Sequence, residues 1–290
     1  MPAKMEIMRS FLALLLLLPA AAALPAQGAS SMTPGQVQAL VQRALGHELQ
    51  TAQDPAHPMR YVLRKSSPRL TSTKEILETR DGAVARLVAI NDHPLSQAEE
   101  QTEQARLDLL LSDPSRQRHR KQSEEGDFGL VLKLLRMLPN AYLYQYAGAG
   151  SGPAGAVEKF SFRPNPQFSP PDLESQALTA MTGELWIDAS QERVTRLEGH
   201  LQQDTDYGWG ILGKLDKGGW IVLEQSNVGG HQWRIARFKM QMNLRVLFKN
   251  RNIDTTEEMT RYAPVPVGLS YRQAIQMLRA GPGGSSQGGR

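Results

Sequence analysis

Three stretches of this chain have residue types and spacings that could do chemistry. Gly150-Ser151-Gly152-Pro153-Ala154-Gly155 matches GxGxxG, the turn that lays a pyrophosphate on a helix N-terminus. That mechanism needs a helix opening at the loop. Here Pro153 sits inside it and Val157 to Phe162 alternates as a strand, so a flexible glycine-rich hairpin loop is the reading that fits. Gly208 to Lys214 carries the first part of a phosphate-binding loop, but Leu215 stands where a hydroxyl would hold magnesium. Asp204 and Asp206 share that segment and offer calcium two carboxylates without its other oxygen ligands.

The remaining reactive residue types are dispersed. His47, His57, His93, His119, His200 and His231 contain no pair at metal-ligand spacing, and no GxSxG elbow supports a serine nucleophile. The absence of cysteine excludes thiolate catalysis, zinc ribbons, iron–sulfur sites and disulfides. Glu99, Glu100 and Glu103 cluster on one helix, where carboxylates usually face solvent. The expectation is a protein without cofactor or catalytic centre. A carboxylate pair assembled by folding is the one route left to an envelope hydrolase.

Charge excludes another class. The 290 residues carry a formal charge of +4, with 40% hydrophobic and 21% charged residues, as in an ordinary folded chain without the basic field of a nucleic-acid binder. Arg116, Arg118, His119, Arg120 and Lys121 form one basic run, closely followed by Glu124, Glu125 and Asp127. The run reads as a solvated loop, with transient contact to an anionic membrane surface as its sharper alternative.

The N-terminus reads as an address. Lys4 and Arg9 precede the apolar run Phe11 to Leu18, and small residues follow around Ala26, Gly28 and Ala29. This is the order of a secretory signal peptide over residues 1–29, and Phe11 to Leu24 is short for a membrane span. Retention as an anchor is the alternative. The expected location is periplasmic or secreted, with one domain over residues 30–280 and a disordered tail over 281–290.

Hydrophobic period then places the elements. Thr33-Pro34 caps a helix whose face is Val37, Leu40, Val41, Ala44 and Leu45. Thr73 to Arg80 and Ala83 to Ile90 flank Asp81-Gly82, a type I′ hairpin signal. Ser96 and Glu99 form a capping box before a helix with the stripe Ala98, Thr102, Ala105 and Leu109, which Asp113-Pro114 stops. Phe128 to Leu138 is an unusually apolar helix that Pro139 closes, and it needs an apolar partner. Strands follow at 141–146, 157–163, 182–188, 194–204 and 220–228. Every even position from Ala236 to Phe248 is apolar, the pattern of an antiparallel strand with one hidden face, divided by a turn if one falls near Asn243. Tyr271 to Arg279 reads as a terminal helix. The fold class is α+β: a large curved antiparallel sheet, an open half-barrel, with helices covering its concave face.

Gly183-Glu184-Leu185-Trp186-Ile187-Asp188 followed by Val194-Thr195-Arg196-Leu197-Glu198-Gly199 resembles a strand pair of the LolA/LolB-like lipoprotein-carrier superfamily. The Gly210 to Gly218 segment and Trp233 with its basic–apolar alternation are similar to uncharacterised bacterial members of that group. The resemblance implies a half-barrel whose helices enclose a cavity for acyl chains, with no covalent chemistry. If the apolar helix lies across the sheet, Phe128, Leu132 and Leu135 would face Phe238, Met240 and Met242 around a lipid or the acyl chain of an acylated protein. A solidly packed interior is the alternative. It would make this an envelope scaffold that works through a protein partner.

Overall fold

The run of alternating apolar residues becomes the longest element but one of a single antiparallel sheet. This computed structural model describes residues 31–152, 155–207, 213–246 and 249–281. In it β12 (Trp233–Val246) pairs with β13 (Lys249–Pro264) from Arg237↔Glu258 to Val246↔Lys249. No turn interrupts β12 at Asn243, which pairs with Asn252. The other strands are β1 (Met59–Ser66), β2 (Thr71–Leu77), β3 (Val84–Ile90), β4 (His93–Pro94), β5 (Tyr142–Gly152), β6 (Gly155–Pro164), β7 (Met181–Asp188), β8 (Val194–Leu201), β9 (Thr205–Tyr207), β10 (Gly213–Leu215) and β11 (Trp220–Asn227). Their order is β4-β3-β2-β1-β13-β12-β11-β8-β7-β6-β5, with β10 on β12 and β9 on β10. The sheet stays open between β4 and β5, so the α+β half-barrel class holds. Residues 1–30, where a signal peptide is expected, and residues 282–290 lie outside the described residues.

Four α-helices and one 3₁₀ helix (Glu174–Ala180) accompany the sheet among the described residues. In α1 (Pro34–Ala52), α2 (Gln97–Ser112) and α4 (Tyr271–Ala280), a hydroxyl accepts an orphan N–H of the first turn. A Gln or Glu three residues on returns the bond to the cap's own N–H. The sequence separates a basic loop from an apolar helix, but the structure runs them together as α3 (Pro114–Ala141). The opposed charges explain the continuity. Arg120 pairs with Glu124 at 3.0 Å and Lys121 with Glu125 at 3.7 Å, one helical turn apart. Pro139 falls in the last turn instead of closing the helix before it.

The register separates the sheet into two chemically distinct faces. Tyr146, Phe160, Leu185, Leu197, Leu223 and Phe238 are successive cross-strand partners, so they share one face. That face carries the first core, where Phe160, Leu185, Ile187 and Leu201 meet Val37, Val41, Ala44 and Leu45 of α1 and Leu138 of α3. Leu77 and Val84 belong to the opposite face, the one that carries Arg64 and Glu75. They join Ala274, Ile275 and Leu278 of α4, with Leu107 and Leu110 of α2, in a second core. The helical cover is thus divided, α1 and α3 on the apolar face and α4 on the other.

Between the two cores that second face is ion-paired. Asp92–Arg64–Glu258–Arg237–Glu224–Arg196–Glu198–His200 is an unbroken ladder crossing β1, β13, β12, β11 and β8. Beyond it Trp186 lies under the Lys159 ammonium, 4.1 Å from the ring centroid. Hydrogen bonds from Arg196 and His200 hold the Glu198 carboxyl below its ordinary range.

Two local readings are overturned. Ala98, Thr102, Ala105 and Leu109 all lie on the solvent side of α2, Leu109 at 49% exposure. The buried side is Glu103, Leu107 and Leu110, because α2 covers the free edge of β3. Glu103 accepts the Leu87 N–H at 2.8 Å, and Arg106 donates to the Ala85 carbonyl while pairing with Glu103. The β2–β3 hairpin exists, but its turn is not type I′, which needs positive φ at both central residues; here Gly82 has φ +90° and Asp81 does not.

Glu103→Ala leaves the Leu87 N–H unpaired and removes the carboxylate partner of Arg106, and should lower unfolding free energy in urea by about 2–4 kcal/mol. Leu109→Ala should change it by less than about 0.5 kcal/mol; a loss of several would restore the sequence-derived stripe. Arg196→Met should cost about 1 kcal/mol near neutral pH. Because the Glu198 pKa is depressed, that contribution is complete above the ordinary carboxylate value of about 4.3. It fades as pH falls below that value, and wild type and variant should converge in acid melts.

Candidate functional site

Charged residues and glycine around the β7–β8 pair hold the scaffold. Glu48 of α1 makes a bidentate pair with Arg193 at 2.8 and 2.9 Å, and also accepts the Val194 N–H and the Gln225 amide. Asp188 closes the β7–β8 turn by accepting from the N–H groups of Ser190 and Gln191. A Cβ on Gly183 would collide with the Glu198 carbonyl oxygen, so only glycine lets β7 and β8 approach there. The family-like strand pair therefore reads as turn and packing chemistry. The 150–155 glycines mostly extend the β5–β6 hairpin, and Asp204 is paired with Lys214 at 2.6 Å. Residues 153–154 and 208–212 lie outside the described residues. No group of three or more metal-ligating side chains occurs among the described residues.

The apolar face at the sheet's centre is different. Phe238 lies opposite Leu223, Met240 opposite Ile221 and Thr255, and Met242 opposite Ile253. Met242 and Ile221 pack against the first core, whereas Phe238, Met240 and Leu223 are half-buried and belong to neither core. Charged and aromatic groups border the stripe. Lys65 and Glu257 pair at 2.6 Å, and Tyr61 stacks on Tyr262 with ring centroids 5.1 Å apart. Burial raises the pKa of both phenols and that of the nearby Glu78 carboxyl, which accepts the Met59 N–H.

Helix α3 is fastened at both ends, to the β2–β3 turn and to the first core. Toward its start, Gln117 and Lys121 donate to the carbonyls of Asp81 and Arg80, and Glu124 accepts the Ala83 N–H. Arg120 and Glu124 stand close enough to Tyr61 to act on its phenol. At its end, Leu135 and Leu138 belong to the first core's packing, and Lys133 pairs with Asp172 and Glu174 at 3.1 and 3.2 Å. At about 100° per residue, Gln117, Lys121, Glu124, Phe128, Leu132 and Leu135 fall within one sector of about 80°. Gln117 and Leu132 are buried, Leu132 at 8% exposure, yet Phe128 between them is 42% exposed. The inward side of the helix is packed at both ends and unfilled in the middle.

Of the six residues expected to line a site, Leu135 and Met242 thus share the first core. Leu132 is buried outside both cores, Phe238 and Met240 are half-buried, and Phe128 is open. A further cleft of about 1030 Å³ lies on the opposite, ion-paired face, where Arg64, Arg86, Arg237, Glu75, Glu224 and Glu258 contribute to its lining. Sequence reading missed it, although Arg237 on the wet face of β12 and the acidic pair Glu257-Glu258 were its visible traces. Two buried polar atoms there, Glu75 Oε2 and Arg86 Nε, have no hydrogen-bond partner among the described residues.

No family model and no curated protein matches the chain. Among solved structures it is similar to a Vibrio parahaemolyticus domain assigned to outer membrane lipoprotein sorting. The match has 9% identity and a TM-score of 0.32, covering 82% of this chain and 100% of that one. At that identity the likeness concerns the fold alone.

Proposed function

We propose that this protein is an exported, non-enzymatic carrier or sensor that holds a lipid or other acyl-bearing ligand between α3 and the apolar centre of its sheet. The observation that carries this reading is Phe128. It stands on the inward side of a helix clamped at both ends, and it is not covered by the sheet. The stripe of Phe238, Met240 and Met242 offers pliable methionine and aromatic surface without a polar anchor, which suits a chain recognised by burial alone. At roughly 0.8 kcal/mol per methylene, ten buried methylenes supply about 8 kcal/mol before the costs of association, so micromolar affinity is the ceiling for that length. The signal-peptide-like order of residues 1–29 supports a cell-envelope location for this activity. The ion-paired cleft supports a second reading, a scaffold that engages a charged protein partner on its other face.

Native mass spectra of the detergent-free protein before and after organic extraction test the first reading. A removable mass of several hundred daltons, or saturable uptake of a fluorescent fatty acid, is expected. Phe238→Ser combined with Met240→Ser should weaken that uptake at least tenfold. A clean apo mass together with no uptake would sink the carrier and leave the scaffold.

A further inference from the structure

The middle of α3 is exposed in a way that one apolar cleft does not explain. Seven successive residues, 125–131, are all exposed, so no side of those two turns is packed. Phe128, Leu130 and Val131 leave 42%, 38% and 58% of their surface in water. Leu130 and Val131 project about 200° and 300° around the axis from Phe128, so the apolar surface faces several directions. A protein groove shaped to one side of a helix would leave Phe128 or Leu130 in water, whereas a lipid interface accepts apolar side chains without a fixed counter-shape. The segment is also weakly self-supporting. Gly126 and Gly129 each disfavour helix, and nothing stands within 4 Å of where their Cβ atoms would be.

Charge selects the kind of interface. Helix α3 carries Arg116, Arg118, Arg120, Lys121, Lys133 and Arg136 against Glu124, Glu125 and Asp127. Glu124 and Glu125 are occupied within the helix by Arg120 and Lys121. Arg118 and Arg136, both exposed, have no acidic partner among the described residues, and they flank the apolar turn on either side. Basic residues around an exposed apolar turn complement anionic lipid head groups.

We infer that the exposed turn of α3, Phe128 to Val131, docks the protein on an anionic lipid bilayer. This goes beyond the carrier reading and does not require a bound ligand. It would bring the open middle of α3 to the surface where acyl chains are found.

The cysteine-free chain allows a direct test. An environment-sensitive fluorophore on Val131→Cys is compared with the same label on Leu109→Cys, another exposed apolar position, on α2. With vesicles of phosphatidylcholine containing phosphatidylglycerol, the label at 131 should shift to the blue and become several-fold less accessible to iodide. The label at 109 should do neither. Phe128→Ser with Leu130→Ser should reduce vesicle affinity at least tenfold, and added salt should weaken it further. Unchanged emission at 131, an equal shift at 109, or an equal response to phosphatidylcholine alone overturns the proposal. Because fatty-acid uptake is measured without vesicles, failure here leaves the carrier reading standing, and the reverse also holds.

Discussion

The pairing of β12 with β13 is the constraint on which this molecule depends. On one side of it lie β11, β8, β7, β6 and β5, with their core beneath α1 and α3. On the other lie β1, β2, β3 and β4, with a core of their own beneath α4. The central pair belongs fully to neither core. It is held by backbone hydrogen bonds and by side chains that differ on its two faces, half-buried apolar groups on one and the ion-pair ladder on the other. A slip of one residue would exchange those faces, putting Arg237 and Glu258 on the apolar side and Phe238 among the ion pairs. The ladder contributes little energy rung by rung, but it makes the wrong register costly.

This arrangement explains what was legible in the sequence. β12 declares itself because one face is apolar at every even position. β13 does not, because Asn250, Asn252, Asp254, Glu257 and Glu258 hide the pattern of a strand. Its carboxylates are placed by Lys65, Arg64 and Arg237 on neighbouring strands, information that is absent from the strand itself. The same kind of non-local partner misdirected the reading of α2. Glu103 has no reason to be buried until the edge of β3 is beside it, and Leu109 looks like core until it is not.

The candidate site was legible in its parts and not in its assembly. Phe238, Met240 and Met242 fall on one face by period alone, and the apolar stretch from Phe128 demands an apolar partner. That α3 begins at Pro114, and is therefore long enough to be fastened at both ends, depends on ion pairs a turn apart that resemble a loop in one-dimensional order. The ion-paired cleft was invisible because its charges come from six strands, each contributing one or two residues that look merely solvated.

The two cores share no residue and sit on opposite faces of one sheet. The described residues therefore have two interiors on one shared backbone. Opening the α4 end exposes the second core while Phe160, Leu185 and Ile187 stay covered, so amide protection can differ between the halves of a single sheet. Loss of α4 would then loosen β2 and β3 first, and the hinge for such a motion would be β1 and β13, the strands between the two cores.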